Sequence, residues 1–262
     1  MDLGLSGRTV LITGASRGIG MATAEVFAEE GCDLVLAARD AAALKGLCER
    51  LRDRHHVNAR AVIVDLRDPE QLRHLVSEAG EVDIAVNNAG DIPGGTIAMI
   101  DEERWRHAWE LKLFGYINLT RLIYARMKAN GRGVIINNIG IAGERMDAAY
   151  IAGCAGNAAL YALTRALGGV SLADGVRVVG VSPGPVATDR FVALMRTAAE
   201  QRLGDADRHG ELTAALPAGR AADPREIADL IAFLASDRSA YTSGAIFAVD
   251  GGLSASAATP RQ

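Results

Sequence analysis

Residues 13–20 read Thr13-Gly14-Ala15-Ser16-Arg17-Gly18-Ile19-Gly20, set between the apolar run Thr9-Val10-Leu11-Ile12 and the helix-forming run Met21-Ala22-Thr23-Ala24-Glu25-Val26-Phe27-Ala28. A buried strand, a glycine turn and a helix start in immediate succession leave a chain few ways to fold. They also build an anion cradle. Glycines let the backbone approach a phosphate without a Cβ clash, and the free N–H groups and positive dipole end of the helix hold the negative charge. The turn therefore predicts dinucleotide binding.

The same alternation runs through the chain. Apolar, β-branched runs near 9–13, 33–37, 59–64, 82–86, 133–138, 176–181 and 245–249 predict strands, and several are apolar throughout, as parallel strands covered on both faces require. Helix-period segments lie between them near 18–30, 40–54, 68–79, 101–130, 149–171 and 223–235. Asp68-Pro69-Glu70 and Asp223-Pro224-Arg225-Glu226 read as helix starts, with Asp as N-cap and Pro in the first turn. The predicted fold is α/β, a Rossmann-type doubly wound parallel sheet of about seven strands with helices on both faces. At 262 residues without a Pro/Gly/Ser-rich linker, a single domain spanning 1–262 is expected. The polar, arginine-rich stretch 188–220, bounded by Pro185 and Pro217, reads either as a substrate lid or as a surface insertion. The tail from Ser254 to Gln262 reads as frayed.

A net charge of −4 gives no sign of nucleic acid or of an anionic membrane surface as partner. No apolar run is long enough to span a bilayer, and Met1 to Arg8 lacks the pattern of a signal peptide. Three cysteines, Cys32, Cys48 and Cys154, show no metal spacing and are odd in number, which fits a reducing cytosol. A cytoplasmic protein acting on a small molecule is the expectation.

The spacing Gly14-x-x-x-Gly18-x-Gly20, preceded by Thr13, resembles the fingerprint of the short-chain dehydrogenase/reductase family. Further stretches match it in order: Asp65 after Val62-Ile63-Val64, Asn87-Asn88-Ala89-Gly90 after the fourth strand, Pro183-Gly184-Pro185-Val186-Ala187-Thr188 after the sixth and Asp250-Gly251-Gly252 after the last. Each lies at a strand's carboxyl end, where open α/β sheets bind ligands. The resemblance implies a nicotinamide dinucleotide held by Gly14, Ser16, Arg17, Gly18, Ile19 and Gly20, by Asp65 and Leu66 at the adenine, by Asn88, Ala89 and Gly90, and by Tyr150, Pro183, Gly184, Val186 and Thr188. On residue chemistry alone, Asn88 reads equally as a turn asparagine and Thr188 as a helix N-cap.

Charge speaks to the choice of cofactor. The second strand ends Leu36-Ala37-Ala38-Arg39 rather than in an acidic residue. A guanidinium suits a ribose 2′-phosphate, and Arg17 offers a second cation. NADP(H) is favoured over NAD(H), with Asp40 pointing to NAD if it turns inward.

The resemblance implies chemistry by an Asn, Ser, Tyr and Lys set, and here the pattern departs. Tyr150 matches the tyrosine that exchanges a proton with the substrate oxygen. The lysine position is Cys154, the serine position is Gly140 (or Asn137 if counted back from Tyr150), and the asparagine position holds Lys112. Lys112 is then a replacement cation from another helix, and Asn138 a replacement hydrogen-bond donor for the developing oxyanion. The plain alternatives are a surface lysine, a strand-end asparagine and a small packing cysteine. The resemblance also implies a homo-oligomer, a tetramer or dimer, built through 101–130, 149–171 and the last helix–strand unit. The face Ala155, Ala158, Ala159, Ala162 suits close helix approach, between subunits or within the chain. Two functions follow: an NADP(H)-dependent oxidoreductase interconverting a carbonyl and an alcohol through Tyr150, or a dinucleotide-binding protein without turnover, serving as redox sensor or partner subunit.

Overall fold

The strands of the computed structural model, which describes residues 2–256, fall at or within two residues of the predicted runs. Residues 257–262 of the expected frayed tail lie outside the described residues. The strands are β1 Thr9–Thr13, β2 Asp33–Ala38, β3 Ala59–Ile63, β4 Ile84–Asn87, β5 Gly133–Asn138, β6 Val176–Pro183 and β7 Ile246–Val249. All pair in parallel, in the order β3-β2-β1-β4-β5-β6-β7. Strand order reverses between β1 and β4, so a crevice opens there beyond the carboxyl ends.

Side chains alternate across the sheet and fill two cores. Val10 and Ile12 enter the core formed with α1 (Gly18–Glu29), α2 (Ala41–His55) and α9 (Pro224–Ala235). Leu11 enters the opposite core with α3 (Pro69–Ala79) and α5 (Gly115–Asn130), and α6 (Ile151–Gly168) extends that layer through Leu160 and Tyr161. Each fully buried Val, Leu, Ile or Phe contributes about 1.5–3 kcal/mol of transfer free energy. Burial on both faces explains why the central strands are continuously apolar.

The predicted helix over 101–130 is three pieces: α4 Glu102–Trp109, a π-turn Glu110–Phe114, and α5. The π-turn widens the helix by one residue, a feature that clusters at functional sites. It buries Lys112 and Leu113 while Phe114 stays exposed. The segment 188–220 contains α7 Asp189–Leu203 and α8 His209–Ala214 with short 3-10 turns beside them.

Candidate active site

Five α-helix N-termini carry a side-chain cap, whereas α1, α5, α6 and α8 carry none. Asp40, Asp68, Asp101, Thr188 and Asp223 cap α2, α3, α4, α7 and α9 by accepting from backbone N–H groups one turn ahead. The α1 N-terminus, after Arg17, has no side-chain cap and no acidic residue in its first turn. Its free N–H groups are left for a ligand. The turn before it is fitted tightly. A Cβ on Gly20 would stand 2.3 Å from the Gly14 carbonyl oxygen, and one on Gly14, which has φ +65°, 2.8 Å from Ala89 Cα. Asn88 braces this turn to β4, its Nδ2 donating to Thr13 O at 3.0 Å and Gly14 O at 3.2 Å. A glycine cradle beneath an uncapped helix end fits a pyrophosphate. Asn88 is thus a tie between neighbouring strand ends.

The cradle opens into a cleft of about 680 Å³. Every residue expected to hold the cofactor lines it except Gly20, which shapes the turn from behind. At one end Arg17 and Arg39 are exposed and, among the described residues, in no ion pair. Asp40 Oδ1 accepts from Ala43 N at 3.0 Å, so its carboxylate serves α2. Asp65 accepts from the Arg67 backbone and side chain, an ion pair that holds its carboxyl below the usual range. Thr188 is an N-cap, accepting from Phe191 N at 3.3 Å, and still lines the cleft.

At the other end stands Tyr150. Its ring lies on Gly153, where an added Cβ would meet the ring at 2.0 Å. The first turn of α6 is held by Trp109 Nε1 donating to Ala152 O at 3.0 Å. Burial pushes the Tyr150 phenol up, and the Arg190 guanidinium draws it partly back. Arg190, on the first turn of α7, pairs with Asp91 at 2.8 Å and donates to Ile92 O, tying α7 to the chain after β4.

Lys112 is the least ordinary group in the cleft. It is 8 % exposed, and its Nζ donates to Asn138 O at 2.8 Å and to the Tyr116 hydroxyl at 3.0 Å. The plain alternative of a surface lysine is therefore excluded. Its stem passes over Gly90, where a Cβ would stand 2.8 Å from Lys112 Cδ. No carboxylate pairs with it among the described residues. Burial, aided by the nearby Arg190 charge, pulls its pKa down to about 7. Burial also raises the Tyr116 phenol, which donates in turn to Asn138 O at 2.9 Å.

Asn138 takes part through its backbone carbonyl; its Nδ2 donates to Asn88 Oδ1 at 2.8 Å. Asn137 points away from the cleft into a buried network, bonding Asn87 at 2.8 Å and Thr164 at 2.9 Å. Asn138, Ile139 and Gly140, the last at φ +120°, line the cleft in this segment. Cys154 turns elsewhere too: its thiol accepts from Asp147 N at 3.2 Å and donates to Asp147 O at 3.5 Å, bracing the 147 loop. Two cleft neighbours have only faint sequence signals. Tyr116 lies one turn after Lys112, and Asn157 lies seven residues after Tyr150, on the same side of α6.

The profile of one protein family, described as enoyl-(acyl carrier protein) reductase, matches residues 14–254. The chain is 33 % identical over 255 residues to the 3-oxoacyl-acyl-carrier-protein reductase FabG of Vibrio cholerae, covering 96 % of this chain and 99 % of that one. Among solved structures, L-sorbose reductase from Gluconobacter frateurii, complexed with NADPH and L-sorbose, superposes with a TM-score of 0.91 at 32 % identity, over 98 % of this chain and all of the other. A variant actinorhodin polyketide ketoreductase with NADPH superposes at 0.90 and 28 % identity, over 95 % and 97 %.

Proposed function

This chain belongs to the short-chain dehydrogenase/reductase family, and from that premise we propose that it is an NADP(H)-dependent reductase of small-molecule carbonyl compounds working through Tyr150. The observation that carries the reading is the meeting, in one cleft, of a fitted dinucleotide cradle with the half-buried phenol of Tyr150 and a buried amine. A bound nicotinamide supplies the hydride that reduces the substrate carbon. The chain's own residues do the rest. Tyr150, kept neutral by burial, donates its proton to the carbonyl oxygen. Lys112, bonded to Tyr116 and to Asn138 O, places a buried amine along the same cleft as that phenol.

The replaced positions make the chemistry directional. No lysine follows Tyr150 by one turn to stabilise phenolate, because that place is Cys154. Donating a proton needs only the phenol, whereas alcohol oxidation needs its conjugate base. Reduction therefore runs at neutral pH and oxidation only under alkaline conditions. Arg17 and Arg39, both without an ion pair among the described residues, suit a 2′-phosphate, and Asp40 is committed to its helix cap; together they favour NADP(H). Arg190, Phe191 and Leu194 of the segment 188–220 line the cleft, which supports its use as a substrate lid. Ala155, Ala159 and Ala162 are exposed on α6, which supports their use between subunits of a homodimer or homotetramer. Three free, buried cysteines favour the cytoplasm as workplace.

The test is NADPH consumption against a broad panel of aldehydes and ketones, by the parent protein and by Tyr150→Phe. The expected result is turnover by the parent and a loss of about 10²–10⁴-fold in the variant. A parent that binds NADPH and consumes none would show the second reading, a dinucleotide-binding protein without turnover, to be right.

A further inference from the structure

Resting on that reading, we infer that Asn157 holds the substrate's carbonyl oxygen, in the space that a side chain at position 140 would otherwise occupy. Gly140 has φ +120° and ψ 147°, a conformation that residues with a Cβ rarely adopt. A Cβ built there would stand 3.2 Å from Asn157 Nδ2. The carboxamide of one element thus fills the room vacated on another. Asn157 is 4 % exposed and lines the cleft with Tyr150 and Gly140. Its Nδ2 donates to Gly140 O at a long 3.3 Å, which leaves the second N–H without an acceptor among the described residues. Its Oδ1 has no partner at all among them. That oxygen is an acceptor and does nothing toward a carbonyl oxygen; the spare Nδ2 N–H is the group that can donate to one. The rival donor, Asn138, is held more firmly: its Nδ2 is bonded to Asn88 Oδ1 at 2.8 Å, against 3.3 Å for the bond of Asn157, and Asn88 holds the glycine turn.

The step balances simply. Hydride from the reduced nicotinamide forms the new C–H bond, the carbonyl π pair moves to oxygen, and the Tyr150 proton completes the alcohol. Tyr150 then recovers a proton from solvent. Asn157 transfers nothing; its N–H stays bonded to the oxygen as charge develops there, the kind of donor whose removal costs about 10²–10³ in kcat.

The experiment compares the parent with Asn157→Ala and the isosteric Asn157→Asp, using the panel compound that the parent reduces fastest and titrating each protein with NADPH. The expected result is a kcat about 100- to 1,000-fold lower for Asn157→Ala, with a larger loss for Asn157→Asp at neutral pH, where a carboxylate opposes the developing alkoxide. NADPH affinity stays within threefold of the parent. The Asn157→Asp protein regains activity relative to the parent as pH falls, because a protonated carboxyl donates again, a signature that a merely structural role would not give. Variants that reduce the compound at the parent's rate overturn the inference alone, as does a loss that follows weakened NADPH affinity. A parent that reduces no carbonyl compound overturns the proposed function, and this inference with it.

Discussion

The two ends of the cleft are built from different materials. The dinucleotide end is made of backbone: an uncapped helix, a turn whose glycines leave no room for a Cβ, and an asparagine bonded to main-chain oxygens. The end proposed for the reaction is made of side chains, and they come from several elements. Lys112 enters from a π-turn, Asn157 from two turns along α6, and Arg190 from α7. Backbone geometry admits one residue type at one position, so it holds its spacing. A hydrogen bond or a charge can be delivered from several positions, so side-chain chemistry can relocate while the cleft stays in place.

The comparison breaks most easily at the cradle. Gly20→Val places carbon against the Gly14 carbonyl oxygen, where even a Cβ would sit at 2.3 Å. It is expected to weaken NADPH binding at least 100-fold, read by fluorescence titration, and to lower Tm as well. Unchanged affinity would mean that the phosphates lie elsewhere.

Lys112→Met sharpens the other end through its pH dependence. The folded pKa of about 7 lies below the ordinary 10.5. Below pH 7 the amine is charged in both folded and unfolded chains, and its burial costs stability in full. Between pH 7 and about 10.5 the unfolded chain holds more protons, so the parent gains stability as pH rises. The methionine variant is therefore expected to be the more stable protein at pH 6, by on the order of 2–4 kcal/mol. Calorimetry should show that advantage shrinking toward pH 10. A stability gap independent of pH would contradict the burial of an unpaired amine.

Smaller effects follow at the margins. Arg39→Ala is expected to reduce the preference for NADPH over NADH about tenfold, equivalent to roughly 1.4 kcal/mol, as measured by the ratio of the two kcat/KM values. Cys154→Ala removes only the thiol's contacts with the Asp147 backbone. Its kcat is expected to stay within about twofold of the parent, since a weak thiol donor contributes little; a large loss would make Cys154 a participant.

How much of this the sequence discloses depends on the same contrast. The sheet, the helix caps at Asp68 and Asp223 and the glycine turn are legible because each rests on local periodicity or on a backbone demand. The position of Lys112 on the helix is legible; its burial is not, because a π-turn leaves no mark in hydrophobic spacing and the room for its stem comes from Gly90, 22 positions earlier in sequence. Asn138 reads as a donor by its place near a strand end. Its side chain is bound to Asn88, a contact 50 residues away that no local pattern encodes. Asn157 is hidden for a similar reason: its partner, Gly140, is defined by a missing side chain.

The central claim is that binding and chemistry are separable ends of one cleft. The most direct measurement is a paired one on Tyr150→Phe: the NADPH dissociation constant by calorimetry and kcat by NADPH oxidation, each against the parent. The account predicts affinity within about threefold and kcat lower by at least 100-fold. Affinity that falls in step with turnover, or turnover that survives loss of the hydroxyl, would contradict it.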